Sequence, residues 1–146
     1  MVVAKSKGEN FNPRITTHNI SDQTQIILIE PPCGSNTIII KSQGKALFID
    51  SGYACYRNEM LDIFTKLFAH FDTMEKTILV THADVDHCGL LGLFDKVIAS
   101  KRTAQCLEKE YQGKNGYREQ NHLHMPYIKI CKILTLYKPV NPQKIE

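Results

Sequence analysis

The stretch Thr81-His82-Ala83-Asp84-Val85-Asp86-His87-Cys88-Gly89 decides how this chain is read. Four potential metal ligands fall within six residues, directly after Thr77-Ile78-Leu79-Val80, a run with the length and composition of a short buried strand. Two imidazoles and two carboxylates packed together would cost on the order of several kcal/mol, because like charges and desolvation both oppose it. A divalent cation removes that conflict. In an extended segment His82 and Asp84 point the same way and can hold one ion. Asp86 and His87, where the chain is expected to turn into a helix over Gly89 to Phe94, can address a second. The spacing therefore predicts two adjacent metals.

Upstream, Thr24 to Ile29 and Thr37 to Ile40 read as two strands joined through Pro31-Pro32-Cys33-Gly34-Ser35-Asn36, the composition of a hairpin turn. A third apolar run, Ala46-Leu47-Phe48-Ile49, ends at Asp50-Ser51-Gly52 and so delivers a carboxylate to a loop. Asn58 is placed to cap a helix whose apolar residues Leu61, Phe64, Leu67, Phe68 and Phe71 recur at helical steps. Downstream, Lys96 to Ala99 reads as a strand, Thr103 to Glu110 as a helix and Tyr127 to Tyr137 as strand-like, with Pro139 and Pro142 ending the pattern. Strands followed by strand and helix alternation predict a mixed sheet with helices on one face, an α/β (α+β) fold, in a single domain over residues 1–146.

Composition excludes several classes. At 146 residues and 42% hydrophobic the chain can build one sizeable core, but no apolar run approaches the length of a membrane span or a signal peptide. Five widely spaced cysteines without a Cys-x-x-Cys argue against a disulfide framework and for reduced thiols, hence a cytoplasmic location. The net charge of +3 is uneven: residues 1–100 carry 9 Lys and Arg against 11 Asp and Glu, and residues 101–146 carry 9 against 4. Such a basic segment with interleaved tyrosines is one way to contact nucleic acid, but its composition favours a solvated face.

The pattern His82-x-Asp84-x-Asp86-His87 resembles the His-x-His-x-Asp-His signature of the metallo-β-lactamase superfamily, and Phe48-Ile49-Asp50-Ser51-Gly52 resembles that family's Asp-Thr/Ser-Gly motif. The likeness runs from about residue 20 to about residue 110 and takes in Ser35-Asn36. It implies half of an αββα sandwich. It also implies metal binding by His82, Asp84, Asp86 and His87, a bracing role for Asp50 and a catalytic role for Asp86 in orienting water. Asp84 stands where the family usually has histidine, and a hard anionic oxygen shifts preference from zinc toward iron or manganese. A similar substitution occurs in the flavodiiron branch. The family's later ligands lie in a second half that this sequence does not contain, so the chain reads as an amino-terminal half that is not competent alone.

Three functions follow from the resemblance: a metal-dependent hydrolase of an ester, thioester, amide or phosphodiester, a flavodiiron-like oxidoreductase, and a catalytically inactive binding domain. The implied partners are a small-molecule substrate and, through an exposed apolar sheet face at Tyr127 to Ile130 and Ile133 to Leu136, a second copy of the chain. Two competing assignments are simpler. Asp86 could merely cap the helix expected after it, although Asp50-Ser51-Gly52 supports the metal reading independently. His122-Leu123-His124 has ligand-like spacing but no glycine context, and reads as a surface turn. Cys88 is read as a small buried hydrophobe.

Overall fold

The computed structural model describes residues 6–146, the side chain of Arg118 excepted. Six strands form one sheet in chain order: β1 (Arg14–Ser21), β2 (Thr24–Glu30), β3 (Thr37–Ser42), β4 (Lys45–Ile49), β5 (Thr77–Val80) and β6 (Lys96–Ala99). The first four make an antiparallel meander, while β5 and β6 run parallel to β4. Three helices, α1 (Arg57–Leu67), α2 (Lys101–Tyr111) and α3 (Met125–Leu134), complete the expected mixed α+β arrangement.

Register explains which side is the core. Ile27, Ile39, Phe48, Ile78 and Val97 are Cα partners in successive strand pairs, so one buried apolar row crosses five strands. Met60, Ile63 and Phe64 of α1 and Leu107 of α2 join the same buried cluster. Phe48 sits at its centre, with ring centroids 5.4 Å from Phe64 and 5.0 Å from Phe94. Because strand side chains alternate, the next row, Leu28, Ile38, Ile49, Leu79 and Ile98, lies on the opposite face. That second row is equally apolar yet remains partly exposed, up to 39% at Ile98.

One strand was not anticipated, and three sequence expectations are corrected. Arg14 to Ser21 forms an edge strand that the polar start concealed, because with every residue but Thr16 exposed it has no buried face to impose alternation. Helix α1 begins at Arg57, one residue before the expected cap Asn58, and ends at Leu67; Phe71 reaches the core from the turn beyond. Gly89 to Phe94 is a turn followed by one short 3-10 turn, Leu91–Leu93, because Gly89 and Leu90 donate their N–H groups to Gly52 and Ser51. Asp86 therefore has no following helix to cap. Finally, Tyr127 to Tyr137 is not strand: it contributes most of α3, where Pro126 fits the first helical turn and Cys131 turns inward. The apolar surface expected there exists on a helix, with Tyr127, Ile130 and Ile133 exposed.

At the other edge, Ile145 pairs with Val97 of β6, and the Glu146 N–H donates to the Val97 carbonyl at 2.8 Å. No helix among the described residues is long and apolar enough to cross a membrane.

Candidate metal centre

Parallel pairing of β4 with β5 places Ile49 opposite Leu79, so the residues leaving both strands emerge side by side. Asp50 is the first of them. It is buried, has φ of +55°, and donates its N–H to the Leu79 carbonyl at 2.9 Å. That left-handed conformation is one aspartate tolerates better than most residues. It aims the carboxylate across the gap: Oδ1 accepts from the Thr81 N–H at 2.8 Å, and Oδ2 accepts from Thr81 Oγ1 at 2.8 Å and from His87 Nδ1 at 2.7 Å. Burial pushes the Asp50 carboxyl up, but the hydrogen bonds from His87 and Thr81 outweigh it and hold the group below its usual range.

Ser51 and Gly52 clasp the same loop from behind. The Ser51 N–H donates to the His87 carbonyl at 2.8 Å, the Ser51 hydroxyl accepts from the Leu90 N–H at 2.9 Å, and Gly52 O accepts from the Gly89 N–H at 3.0 Å. Gly89 has no room for a side chain, since a Cβ there would overlap the backbone of Gly52, Tyr53 and Ala54. The Asp-Ser-Gly motif is thus a three-point clamp on the ligand loop.

Within the loop, the Asp84 carbonyl accepts from the His87 and Cys88 N–H groups at 2.9 and 3.0 Å and from the Cys88 thiol at 2.9 Å. This tight turn folds the four expected ligands onto one another. His82 Nε2 lies 3.3 Å from Asp84 Oδ2, His87 Nε2 lies 3.3 Å from Asp86 Oδ2, and the two imidazole centroids are 4.0 Å apart. Each Nδ1 is tied back, His87 to Asp50 and His82 to Thr81 Oγ1 at 3.0 Å, so both Nε2 atoms face the carboxylates. In this geometry Asp50 and then Asp86 push the His87 imidazole up to about 10. The hydrogen bond from His87 in turn lowers the Asp86 carboxyl. Burial raises the Cys88 thiol and keeps it protonated, in keeping with a structural role.

The structure brings His82, Asp84, Asp86, His87 and Asp50 together. His122 and His124 are exposed in the turn before α3 and do not line the cleft beside the loop. Among the described residues, no three His, Cys, Asp or Glu side chains converge as a finished coordination shell. Sequence reading gave no role to Thr81 or to the Ser51 hydroxyl. The only local signal for Thr81 was a hydroxyl immediately preceding His82.

A cleft of about 720 Å³ opens beside the loop, with His82, Asp84 and Asp86 on one side and residues of α2, α3 and the 116–119 turn on the other. Its far wall is fixed by a buried polar network. Lys132 donates to Glu110 at 2.8 Å and to Glu119 at 3.0 Å, Tyr137 donates to Glu110 at 2.6 Å, and Glu119 also accepts from the Gly116 N–H at 2.7 Å. Burial disfavours the Lys132 ammonium, but the two glutamates outweigh it and raise the group.

Comparison with known proteins agrees with this fold. The family model of the metallo-beta-lactamase superfamily matches residues 31–120. A flavoprotein of Thermotoga maritima is 24% identical with a TM-score of 0.55, over 69% of this chain and 30% of that one. A mutant flavo di-iron protein from the same organism is 24% identical with a TM-score of 0.53, over 70% and 31%. BJP-1, a subclass B3 metallo-beta-lactamase of Bradyrhizobium japonicum, is 20% identical with a TM-score of 0.52, over 71% and 40%. The chain thus spans 30% to 40% of the length of these three structures. No curated protein matches it.

Proposed function

This chain belongs to the metallo-β-lactamase superfamily, and on that premise we propose that it serves a metal-dependent hydrolase acting on an ester, thioester, amide or phosphodiester. The residues fit a divalent metal by their donor chemistry. Both imidazoles have Nδ1 engaged and Nε2 turned toward a carboxylate, the orientation in which histidine ligates while a hydrogen bond fixes its ring. His82 with Asp84 would hold one ion and Asp86 with His87 a second. A cation bound there supplies Lewis acidity toward the scissile oxygen and makes a water acidic enough to lose its proton near neutral pH.

The chain's own groups do the rest. Asp50 orients His87 and keeps Nδ1 from competing as the ligating atom. Asp86, which lines the cleft, would accept a hydrogen bond from that water and orient it toward the substrate. Thr81 transmits the position of Asp50 to His82 through one hydroxyl that donates to the first and accepts from the second.

The observation that favours hydrolysis is the cleft: about 720 Å³ beside His82, Asp84 and Asp86 is sized for an organic substrate. The test is turnover of 4-nitrophenyl acetate and bis(4-nitrophenyl) phosphate by the full-length protein loaded with zinc, manganese or iron. Hydrolysis that stops on chelation is expected; its absence with all three metals on both substrates would overturn the proposal. Asp84 favours a second reading, a di-iron redox site, since a carboxylate at that position suits the harder ion. Iron absorption bands with oxygen consumption, in place of hydrolysis, would select it.

Two donors per ion from this chain give weak retention, because a closed site ordinarily needs three or four protein ligands. Two tightly held metals per 146-residue chain by elemental analysis would contradict this. Asp84→His should shift preference toward zinc over iron and manganese in competition with a chromophoric chelator. An unchanged metal ratio would mean that Asp84 does not ligate.

A further inference from the structure

The cleft's chemistry carries a statement about what it holds. Arg102 and Lys132 are the arginine and lysine side chains that line it among the described residues. Lys132 is already matched by Glu110 and Glu119, at 2.8 and 3.0 Å, so its charge is spent inside the network. Arg102, on the first turn of α2, has no carboxylate partner among the described residues. Its guanidinium instead lies 4.0 Å from the centroid of the Tyr117 ring, another lining residue. Stacking on an aromatic face restrains the plane of a guanidinium while leaving its in-plane N–H fork for a ligand, and that fork matches a carboxylate or phosphate with two parallel hydrogen bonds. Tyr53, Tyr127 and Ile128 add apolar lining to the same cleft.

From this arrangement we infer that Arg102, restrained by Tyr117, is the anchoring residue for an anionic group of the substrate, so that the cleft takes an organic anion with an apolar body. The inference rests on the hydrolase reading in one respect: the same molecule presents its reacting bond to the loop of His82, Asp84, Asp86 and His87. Arg102 is assigned to binding and orientation, not to the bond-breaking step. Carboxylate and phosphate share the recognition chemistry of the fork, and the test separates them.

Binding is read without metal and without turnover, by titrating the full chain with benzoate, phenyl phosphate and neutral benzamide while following the backbone amide signals of Thr103 and Tyr117. Saturable shifts with at least one anion are expected, with benzamide weaker by about tenfold or more, the worth of a charge-assisted hydrogen-bond pair. The tighter of the two anions identifies the group. Arg102→Gln should remove the difference between anion and amide, Arg102→Lys should restore only part of it, and Tyr117→Leu should weaken the anion alone. Equal binding of benzoate, phenyl phosphate and benzamide, or unchanged anion affinity in Arg102→Gln, would overturn the assignment. Since neither metal nor hydrolysis enters the measurement, its failure leaves the hydrolase proposal standing, and failure of hydrolysis leaves this result standing.

Discussion

Asp50→Ala is expected to destabilise the fold and disable the ligand loop together. The substitution removes the acceptor of three part-buried hydrogen bonds, from the Thr81 N–H, the Thr81 hydroxyl and His87 Nδ1. Stranding such donors and breaking a half-buried carboxylate and imidazole pair costs roughly 3 kcal/mol. Alanine at φ of +55° adds about 1 kcal/mol more. Thermal denaturation should therefore shift downward by about 10 °C for a domain of this size. Metal affinity should fall as well, by about 10- to 100-fold, the usual effect of losing a hydrogen-bond partner behind a ligating histidine. Asp50→Asn separates the two effects, because asparagine tolerates the same backbone and keeps an oxygen for the Thr81 N–H, yet lacks the charge that orients His87. It should recover most of the stability and little of the affinity. An Asp50→Ala protein that melts and binds metal like the parent would remove Asp50 from the site.

Asp86→Ala should do the opposite: little change in melting temperature and a loss of metal-dependent hydrolysis in the full-length protein of about a thousandfold, equivalent to about 4 kcal/mol of barrier. The asymmetry follows from what each carboxylate touches. Asp86 faces the cleft and meets His87 Nε2 at 3.3 Å, whereas Asp50 supports backbone and side-chain donors behind it. Residual turnover near the parent rate, with metal content intact, would assign the water's orientation to another group. Comparing kcat with metal content in the same samples distinguishes lost ligation from lost orientation of water.

Much of this was legible in the sequence because the informative residues are local. His82 to His87 lie within a single turn, and their density alone pointed to a cation. The apolar runs of β2 to β5 were readable because one face of each is buried; β1 was not, since exposure on both faces leaves composition with no periodicity to follow. Tyr127 to Tyr137 misled for a different reason. Its isoleucines favour strand by local preference, but Pro126 and the inward placement of Cys131 and Thr135 select helix, a choice made by tertiary packing. Within the site, the candidate ligands and the bracing Asp50 could be named from the sequence, whereas the hydroxyls that support them could not. Thr81 Oγ1 and Ser51 Oγ gain meaning only when β4 and β5 lie side by side, and Arg102 joins Tyr117 across a loop with no sequence signal.

That same side-by-side pairing carries a kinetic consequence. The contacts among β1, β2, β3 and β4 close through short turns, so they cost little chain entropy and can form early. The β4 to β5 ladder instead joins Ile49 to Leu79 across a helical crossover, a contact of much larger sequence separation that forms later. Asp50 meets Thr81 and His87 only after that step. During refolding, metal competence should therefore lag behind the formation of sheet, and cations added at the start should speed the final stage more than the first.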